Sequence, residues 1–252
     1  MDSILPLFKT HYSLGKSILT LSPEDNQPDE SDSVFSILKE NKMKELILVE
    51  DSMTGFLEAY QNCKDSDVKL IFGLRMSICI DALEKNEDSR KTESKVVVFA
   101  KNKNGYKKLI KISSFASRKG FYYYPRIDYK TLKSFWNDKE LKLAIPFYDS
   151  YVFTNTLYNN MCVPELDFTD PTYFVEDNNL PFDDLLANKV DNLSKNIQKV
   201  QSIYYKDEKD FKAYLTYKCI NKRSTLDKPE LEHMTSNEFC VESWKKKNEK
   251  QI

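Results

Sequence analysis

The stretch VVFAKNKNGYKKL, residues 97–109, holds one complete strand-to-helix unit. Its apolar part belongs to the run Val96–Ala100, which is rich in β-branched residues and predicts a buried strand. The residues Asn102-Lys103-Asn104-Gly105 predict the turn that starts a helix, with Asn102 or Asn104 as its cap. The helix itself is predicted by apolar residues at helical spacing: Tyr106, Leu109, Ile110 and Phe115. The segment therefore predicts a strand that passes directly into an amphipathic helix.

The same alternation of strand and helix extends over most of the chain. Further strands are predicted at Leu46–Val49, Val68–Phe72, Leu141–Phe147 and Ile203–Tyr205. Further helices are predicted around Val34–Leu38, Phe56–Cys63 and Phe211–Cys219. Because these strands are continuously apolar rather than alternating, we expect both of their faces to be buried. The sequence thus predicts an α/β fold, either a parallel sheet or a βα barrel.

Composition excludes several classes of protein. The 252 residues are 40% hydrophobic and 31% charged, which is the balance of a globular chain rather than a disordered one. Only five glycines are present, and neither a Gly-x-Gly nor a Walker phosphate loop occurs. The net charge of -1 differs from the strong basicity of a small DNA-binding domain, so any contact with nucleic acid must be local.

The cysteines and the apolar runs indicate the compartment. The five cysteines form no Cys-x-x-Cys pair and are odd in number, which favours reduced thiols. The longest apolar runs, such as Leu143–Tyr148, are much too short to span a bilayer. We therefore expect a cytoplasmic protein with no membrane partner.

We expect a single domain over residues 1–244, followed by a basic tail over 245–252. Two polar stretches, 22–33 and 84–94, interrupt the strand–helix rhythm and are predicted to be loops. Positive charge is concentrated in residues 101–133, which contain ten basic residues and one acidic residue. Within them lies Phe121-Tyr122-Tyr123-Tyr124, and aromatic residues among basic ones can stack single-stranded bases. Buried packing is the alternative use of such an aromatic run.

Six segments, read in order, resemble one protein family. They are residues 10–14 (THYSL), 48–60 (LVEDSMTGFLEAY), 69–75 (KLIFGLR), 97–109, 120–128 (GFYYYPRID) and 205–239. The family is the PHP (polymerase and histidinol phosphatase) domain of the bacterial DNA polymerase III alpha subunit, and the resemblance covers about residues 5–244. It implies a distorted, TIM-like (βα)7 barrel with a metal cluster at the carboxyl ends of its strands. Active members resemble phosphoesterases, whose metals activate water against a phosphate ester.

The resemblance also implies where metal ligands should lie, and most of those positions hold other residue types. The corresponding residues of this chain are Lys9, His11, Glu50, Asp51, Arg75, Lys95, Tyr148, Ser202 and Tyr204. The second of only two histidines, His233, falls where the family has no ligand. Charged Lys and Arg side chains offer no lone pair to a cation, so we expect a degenerate metal pocket, no cofactor and no catalytic residue.

Two arrangements remain open for this pocket. In the first, its three cationic side chains form ion pairs with Glu50 and Asp51, and a polar network replaces the metals. In the second, His11, Glu50 and Asp51 hold a single Zn, Mn or Mg ion.

The resemblance implies that the chain ends where a polymerase palm would begin, so we expect no nucleotidyl transfer. We expect instead a catalytically inactive module that binds a replication protein or nucleic acid. The expected binding surface comprises Lys107, Lys108, Lys111, Arg118, Lys119 and Arg126. The alternative is a metal-dependent phosphoesterase or 3′-5′ exonuclease with a reduced metal site. A virus-encoded replication accessory would suit the binding role, and its location would then be the host cytoplasm.

Overall fold

Seven strands close into a barrel, and helices pack around its outside. The computed structural model describes residues 3–23, 32–227 and 236–249. The strands within these ranges are β1 (Leu5–Phe8), β2 (Glu45–Glu50), β3 (Lys69–Cys79), β4 (Ser94–Ala100), β5 (Arg126–Asp128), β6 (Leu141–Ile145), β7 (Thr172–Val175) and β8 (Ile197–Ile203). The ring runs β1-β2-β3-β4-β6-β7-β8 and returns to β1. The expected α/β barrel of seven strands is confirmed.

The barrel departs from a regular βα barrel at β4. All other neighbours in the ring are parallel, whereas β4 runs antiparallel to both β3 and β6. Parallel neighbours need a long crossover, usually a full helix, and the connection from β3 to β4 contains only the four-residue helix α3 (Glu87–Arg90). β3 is 11 residues long, and its second half pairs with β5 outside the ring.

The remaining helices follow the strands in sequence. They are α1 (Val34–Glu40), α2 (Phe56–Asp65), α4 (Lys103–Arg118), α5 (Tyr129–Phe135), α6 (Tyr151–Leu157), α7 (Asp183–Leu193), α8 (Phe211–Lys222) and α9 (Val241–Glu249). α4 begins as predicted, because the Asn102 side chain accepts hydrogen bonds from the backbone N–H groups of Asn104 and Gly105, both at 3.0 Å. No helix in the described ranges is both long and apolar enough to cross a bilayer.

The interior of the barrel is filled by side chains that alternate along each strand. Its apolar layer comprises Leu7, Val49, Val97, Phe99, Ala144, Phe174 and Val200. The opposite faces of the strands pack against the helices in the main hydrophobic core. This alternation decides which residues can meet at the mouth of the barrel.

The predicted loops and tail are more ordered than their polarity suggested. Residues 84–94 contain α3 and the first residue of β4, and Glu93 is buried there. The tail continues α9 as far as Glu249, and Lys246 lies 2.7 Å from Glu208. Within the expected loop 22–33, residues 24–31 lie outside the described ranges, as do residues 250–252 of the tail.

The strand predicted at Ile203–Tyr205 is wrong, because β8 ends at Ile203. β8 interleaves polar residues with apolar ones, so it lacks the continuous apolar run that marks the other strands.

Candidate functional site

The barrel mouth carries a layer of polar side chains directly above the apolar interior. The polar residues that line its cavity are Lys9, Arg75, Glu176, Ser202 and Tyr204. Lys95 approaches this end from the beginning of β4, because β4 is antiparallel and pairs Lys95 with Ser77 near the end of β3. Four of the positions identified from the resemblance, Lys9, Arg75, Ser202 and Tyr204, therefore meet at one end of the barrel, with Lys95 beside them.

Two cationic side chains of this layer form ion pairs with two aspartates. Lys9 Nζ lies 2.8 Å from Asp51 Oδ1, and Arg75 lies 3.7 Å from the same oxygen. Arg75 also lies 2.5 Å from Asp149 Oδ2. Burial by itself would raise the pKa of Asp51, but the charges of Lys9 and Arg75 outweigh it and hold that pKa well below its ordinary value. Lys9, Asp51, Arg75 and Asp149 form a continuous network, which we call the mouth network.

Glu50 does not join this network, although the ion-pair hypothesis included it. Its neighbours in the alternating strand, Val49 and Asp51, face the interior, so Glu50 faces the segment after β1. There it accepts hydrogen bonds from the backbone N–H of Thr10 at 2.9 Å and from the hydroxyls of Thr10 and Ser13. Burial raises the pKa of Glu50 above its ordinary value despite the charge of Lys9. Glu50 is thus a buried acceptor for hydroxyl groups.

Lys95 differs from the expectation in another way. Its Nζ donates a hydrogen bond to Ser77 Oγ at 2.6 Å, and no carboxylate of the described residues lies within 4.0 Å of it. Burial and then the charge of Arg75 lower the pKa of Lys95 to about 8. Lys95 is therefore a half-buried cation held by a neutral hydroxyl and by the ring of Tyr124, whose centre lies 5.4 Å from its Nζ.

Two carboxylates of the mouth were missed from the sequence, namely Asp149 and Glu176. Ser202 donates to both oxygens of Glu176, from its hydroxyl at 2.8 Å and from its backbone N–H at 2.9 Å. Asn178 donates to Glu176 at 2.8 Å, and burial raises the pKa of this carboxyl group. Each carboxylate follows the end of an apolar strand within four residues. That position in the sequence could have identified both as residues of the barrel mouth.

Tyr148 and His11 do not line the cavity. The Tyr148 hydroxyl lies 3.0 Å from both Asp183 and Asn178 within the second hydrophobic cluster, and its neighbour Asp149 takes the place at the mouth. The His11 ring packs on Tyr12, with its Nδ1 3.4 Å from the carbonyl oxygen of Leu19. The position predicted at Tyr148 is thus one residue away from the side chain that reaches the mouth, Asp149.

The residues at the mouth do not fit a cluster of divalent ions. Across the three described ranges, no three His, Cys, Asp or Glu side chains come together as a set of metal ligands, and this includes His11, Glu50 and Asp51. The cavity above the apolar layer measures about 30 Å³, room for about one or two water molecules. The carboxylates of the mouth are already engaged by ammonium, guanidinium, amide or hydroxyl donors.

A larger cavity of about 740 Å³ lies elsewhere, between α1 and α2, and contains none of the residues of the mouth.

The expected basic surface is only partly present. Lys107, Lys111, Arg118 and Lys119 are exposed on or just after α4, and Lys108 lies at its side, 2.7 Å from Glu140. Arg126 is wrongly assigned to that surface, because it is fully buried. Its guanidinium lies 2.7 Å from Glu93 and donates to the backbone carbonyl groups of Glu84, Ala82 and Gly120.

The closed barrel of seven strands is consistent with the family that a comparison with known proteins finds. Residues 29–152 match the family model of the PHP domain. The chain therefore carries a PHP domain, as its six segments indicated.

The similar proteins are alpha subunits of bacterial DNA polymerase III, matched through their PHP region. That of Borreliella burgdorferi is 31% identical over 105 residues, which are 40% of this chain and 9% of the relative. That of Helicobacter pylori strain 26695 is 36% identical over 99 residues, which are 38% of this chain and 8% of the relative. That of Campylobacter jejuni is 22% identical over 237 residues, which cover 81% of this chain and 20% of the relative. The matched region is thus a small part of each polymerase subunit.

Proposed function

We propose that this PHP domain serves as a binding or structural module in DNA replication and does not hydrolyse phosphate esters. The observation that carries this proposal is the mouth network. Lys9 and Arg75 place positive charge where the family resemblance implies metal ligands, and positive charge in a buried site repels a divalent ion. Their ion pairs also occupy the carboxylates of Asp51 and Asp149. Removal of Arg75 would leave Asp149 without a cation, and removal of Lys9 would leave Asp51 with only the more distant Arg75, so the closed mouth depends on both cations.

The association with replication is supported by the relatives, which are subunits of a DNA polymerase. Residues 101–133 supply the candidate contact with a replication protein or with nucleic acid, because four of their exposed cations, Lys103, Lys107, Lys111 and Arg118, lie on one helix. All five cysteines are buried free thiols, which supports a reducing compartment such as the cytoplasm.

Metal content and hydrolysis together test the proposal. The chain is purified without metal, incubated with Zn, Mn or Mg and desalted, and its metal content is measured by mass spectrometry. The same samples are then given a 3′-labelled oligonucleotide and a chromogenic phosphate ester. We expect no stoichiometric metal and no hydrolysis. Bound metal with hydrolysis, both abolished in His11→Ala or Asp51→Asn, would establish the reduced-site phosphoesterase or exonuclease instead.

A variant with restored ligand types supplies the matched control. The triple variant Lys9→His, Arg75→Glu, Lys95→His exchanges three cations for groups that can bind a divalent ion. We expect this variant to retain more Zn or Mn than the wild type, because it removes the charge repulsion. Equal metal retention by both proteins would show that these cations do not control metal binding.

A further inference from the structure

The exposed side of α4 carries a stripe of positive charge. Lys103, Lys107, Lys111 and Arg118 are all exposed, and at 3.6 residues per turn they fall within an arc of about 80°. The buried residues Leu109, Ile112 and Ala116 lie on the opposite side of the helix. The stripe extends along about 22 Å of the helix axis.

These cations are not neutralised by neighbouring acids. Residues 103–119 contain no Asp or Glu. Among the described residues, no carboxylate lies within 4.0 Å of the four stripe cations or of Lys119. Other cations of the same basic segment are engaged, as Lys108 with Glu140 and Lys133 with Asp167. The stripe therefore presents a positive potential to a polyanion.

Exposed aromatic rings stand at the end of the stripe. The helix passes through Lys119 and Gly120 into Phe121 and Tyr123, whose exposed fractions are 47% and 66%. Tyr123 lies at the tip of the turn between Tyr122 and Tyr124, with a φ of 61°, a backbone conformation that is unusual for tyrosine.

Buried Arg126 holds this turn in place. Its Nε donates to the carbonyl oxygen of Gly120 at 3.3 Å, and its Nη1 donates to Glu93 at 2.7 Å and to Ser89 at 2.9 Å. The exposed rings are therefore presented from an anchored segment, so little conformational entropy is lost when a ligand stacks on them.

We propose that the α4 stripe and the rings of Phe121 and Tyr123 bind single-stranded nucleic acid. The phosphates would follow the cations of α4, and unpaired bases would stack on the two rings. Exposed aromatic rings favour a single strand over a duplex, whose bases are already stacked and inaccessible. This inference rests on the proposed binding role and names its ligand class.

Salt dependence of binding tests the stripe. Anisotropy of a labelled thymidine oligonucleotide of about 20 nucleotides is measured between about 50 and 200 mM salt. We expect the variant Lys103→Gln, Lys107→Gln, Lys111→Gln, Arg118→Gln to reduce the slope of log affinity against log salt by about 3. The matched control neutralises four exposed lysines on other elements, Lys64, Lys189, Lys195 and Lys212, and should leave the slope nearly unchanged. Equal slopes for both quadruple variants would overturn the proposal.

Replacement of the rings tests the stacking. Phe121→Leu and Tyr123→Leu keep an apolar side chain and remove the ring, so each should weaken binding by about 5- to 100-fold at an unchanged salt slope. Thermal unfolding of each variant confirms that the fold persists. Equal or tighter binding of the corresponding duplex, or affinity indifferent to both rings, would also overturn the proposal. Neither result would alter the metal and hydrolysis outcome, so failure here is distinguishable from failure of the proposed function.

Discussion

The ammonium group of Lys9 contacts the carboxylate of Asp51 at 2.8 Å inside the barrel mouth, between the ends of two parallel strands. The Lys9 side chain is only 5% exposed, so its charge depends on that partner. The pair closes the same end of the barrel at which the family resemblance implies metals. A buried pair of this kind makes the mouth sensitive to the loss of one partner, although its net contribution to stability can be small.

Removal of Lys9 should destabilise the fold more than removal of an exposed lysine. We expect Lys9→Met to lower the free energy of unfolding by about 3 kcal/mol, because Asp51 loses its nearest cation. Lys69→Met is the matched control, since Lys69 pairs with Glu45 at the surface, and it should cost less than about 1 kcal/mol. Urea unfolding measures both. The double variant Lys9→Met, Asp51→Leu should recover most of the loss, and its failure to do so would contradict the pairing.

Lys95 should make stability depend on pH in the alkaline range. Its pKa is about 8 in the folded chain and near 10.4 when unfolded, so the unfolded chain binds more protons between those values. The free energy of unfolding contributed by Lys95 therefore rises with pH across that interval. The variant Lys95→Met lacks this titrating group. Its free energy of unfolding, taken relative to that of the wild type, should therefore fall by about 2–3 kcal/mol from about pH 7.5 to pH 10.

Urea unfolding of both proteins at several pH values measures this difference. The buried cysteines and tyrosines titrate in both proteins, so their contribution cancels when the two free energies of unfolding are subtracted. Lys69→Met, which removes an exposed lysine, should show a difference that is nearly independent of pH. The same flat profile for Lys95→Met would mean that Lys95 titrates normally.

Arg126 should act as an internal clamp. Arg126→Met removes the partner of buried Glu93 and should cost about 3–5 kcal/mol. Hydrogen exchange should accelerate in residues 82–93 and 120–125, which contain the groups that its guanidinium contacts. Arg126→Lys should not restore protection, because an ammonium group cannot reach these groups as a planar fork does. Unchanged exchange in Arg126→Met would contradict the clamp.

Gly105 should resist replacement even by the best helix former. A Cβ atom there would lie 2.0 Å from the carbonyl oxygen of Glu140, a backbone atom that cannot move cheaply. We expect Gly105→Ala to destabilise the fold by about 2–3 kcal/mol, although alanine would gain about 1 kcal/mol in an unobstructed helix. Ser114→Ala, on the exposed side of the same helix, should be neutral or slightly stabilising. Thermal unfolding compares the two, and equal stability would contradict the close approach.

Local patterns were sufficient for the strands and helices that bury one continuous apolar run or stripe. β4 and α4 lie where residues 96–115 predicted them, with Asn102 as the cap. β1, β5 and β7 were not predicted, because each has only three or four residues and shows no clear period. The antiparallel direction of β4 was also missed, since strand direction depends on the length and path of the connection rather than on the strand's own residues.

Contacts between distant strands could not be predicted in the same way. Asp149 reaches Arg75 across 74 positions of sequence, and only the closure of the barrel brings their strands together. Glu50 and Asp51 are adjacent in sequence, yet a strand places their side chains on opposite faces, so only one joins the mouth network. Arg126 was predicted at the surface from its basic segment, but β5 places it beneath the aromatic turn.

By itself, the amino-acid sequence determined the α/β class, the PHP relationship and the presence of cations at positions where ligands were expected. These properties follow from local periodicity and residue identity, which a linear chain already contains. The tertiary structure decided which carboxylate neutralises which cation and which basic residues remain exposed. The physical reason is that charge pairing and burial depend on distances between segments far apart in the chain, and the folded barrel alone sets those distances.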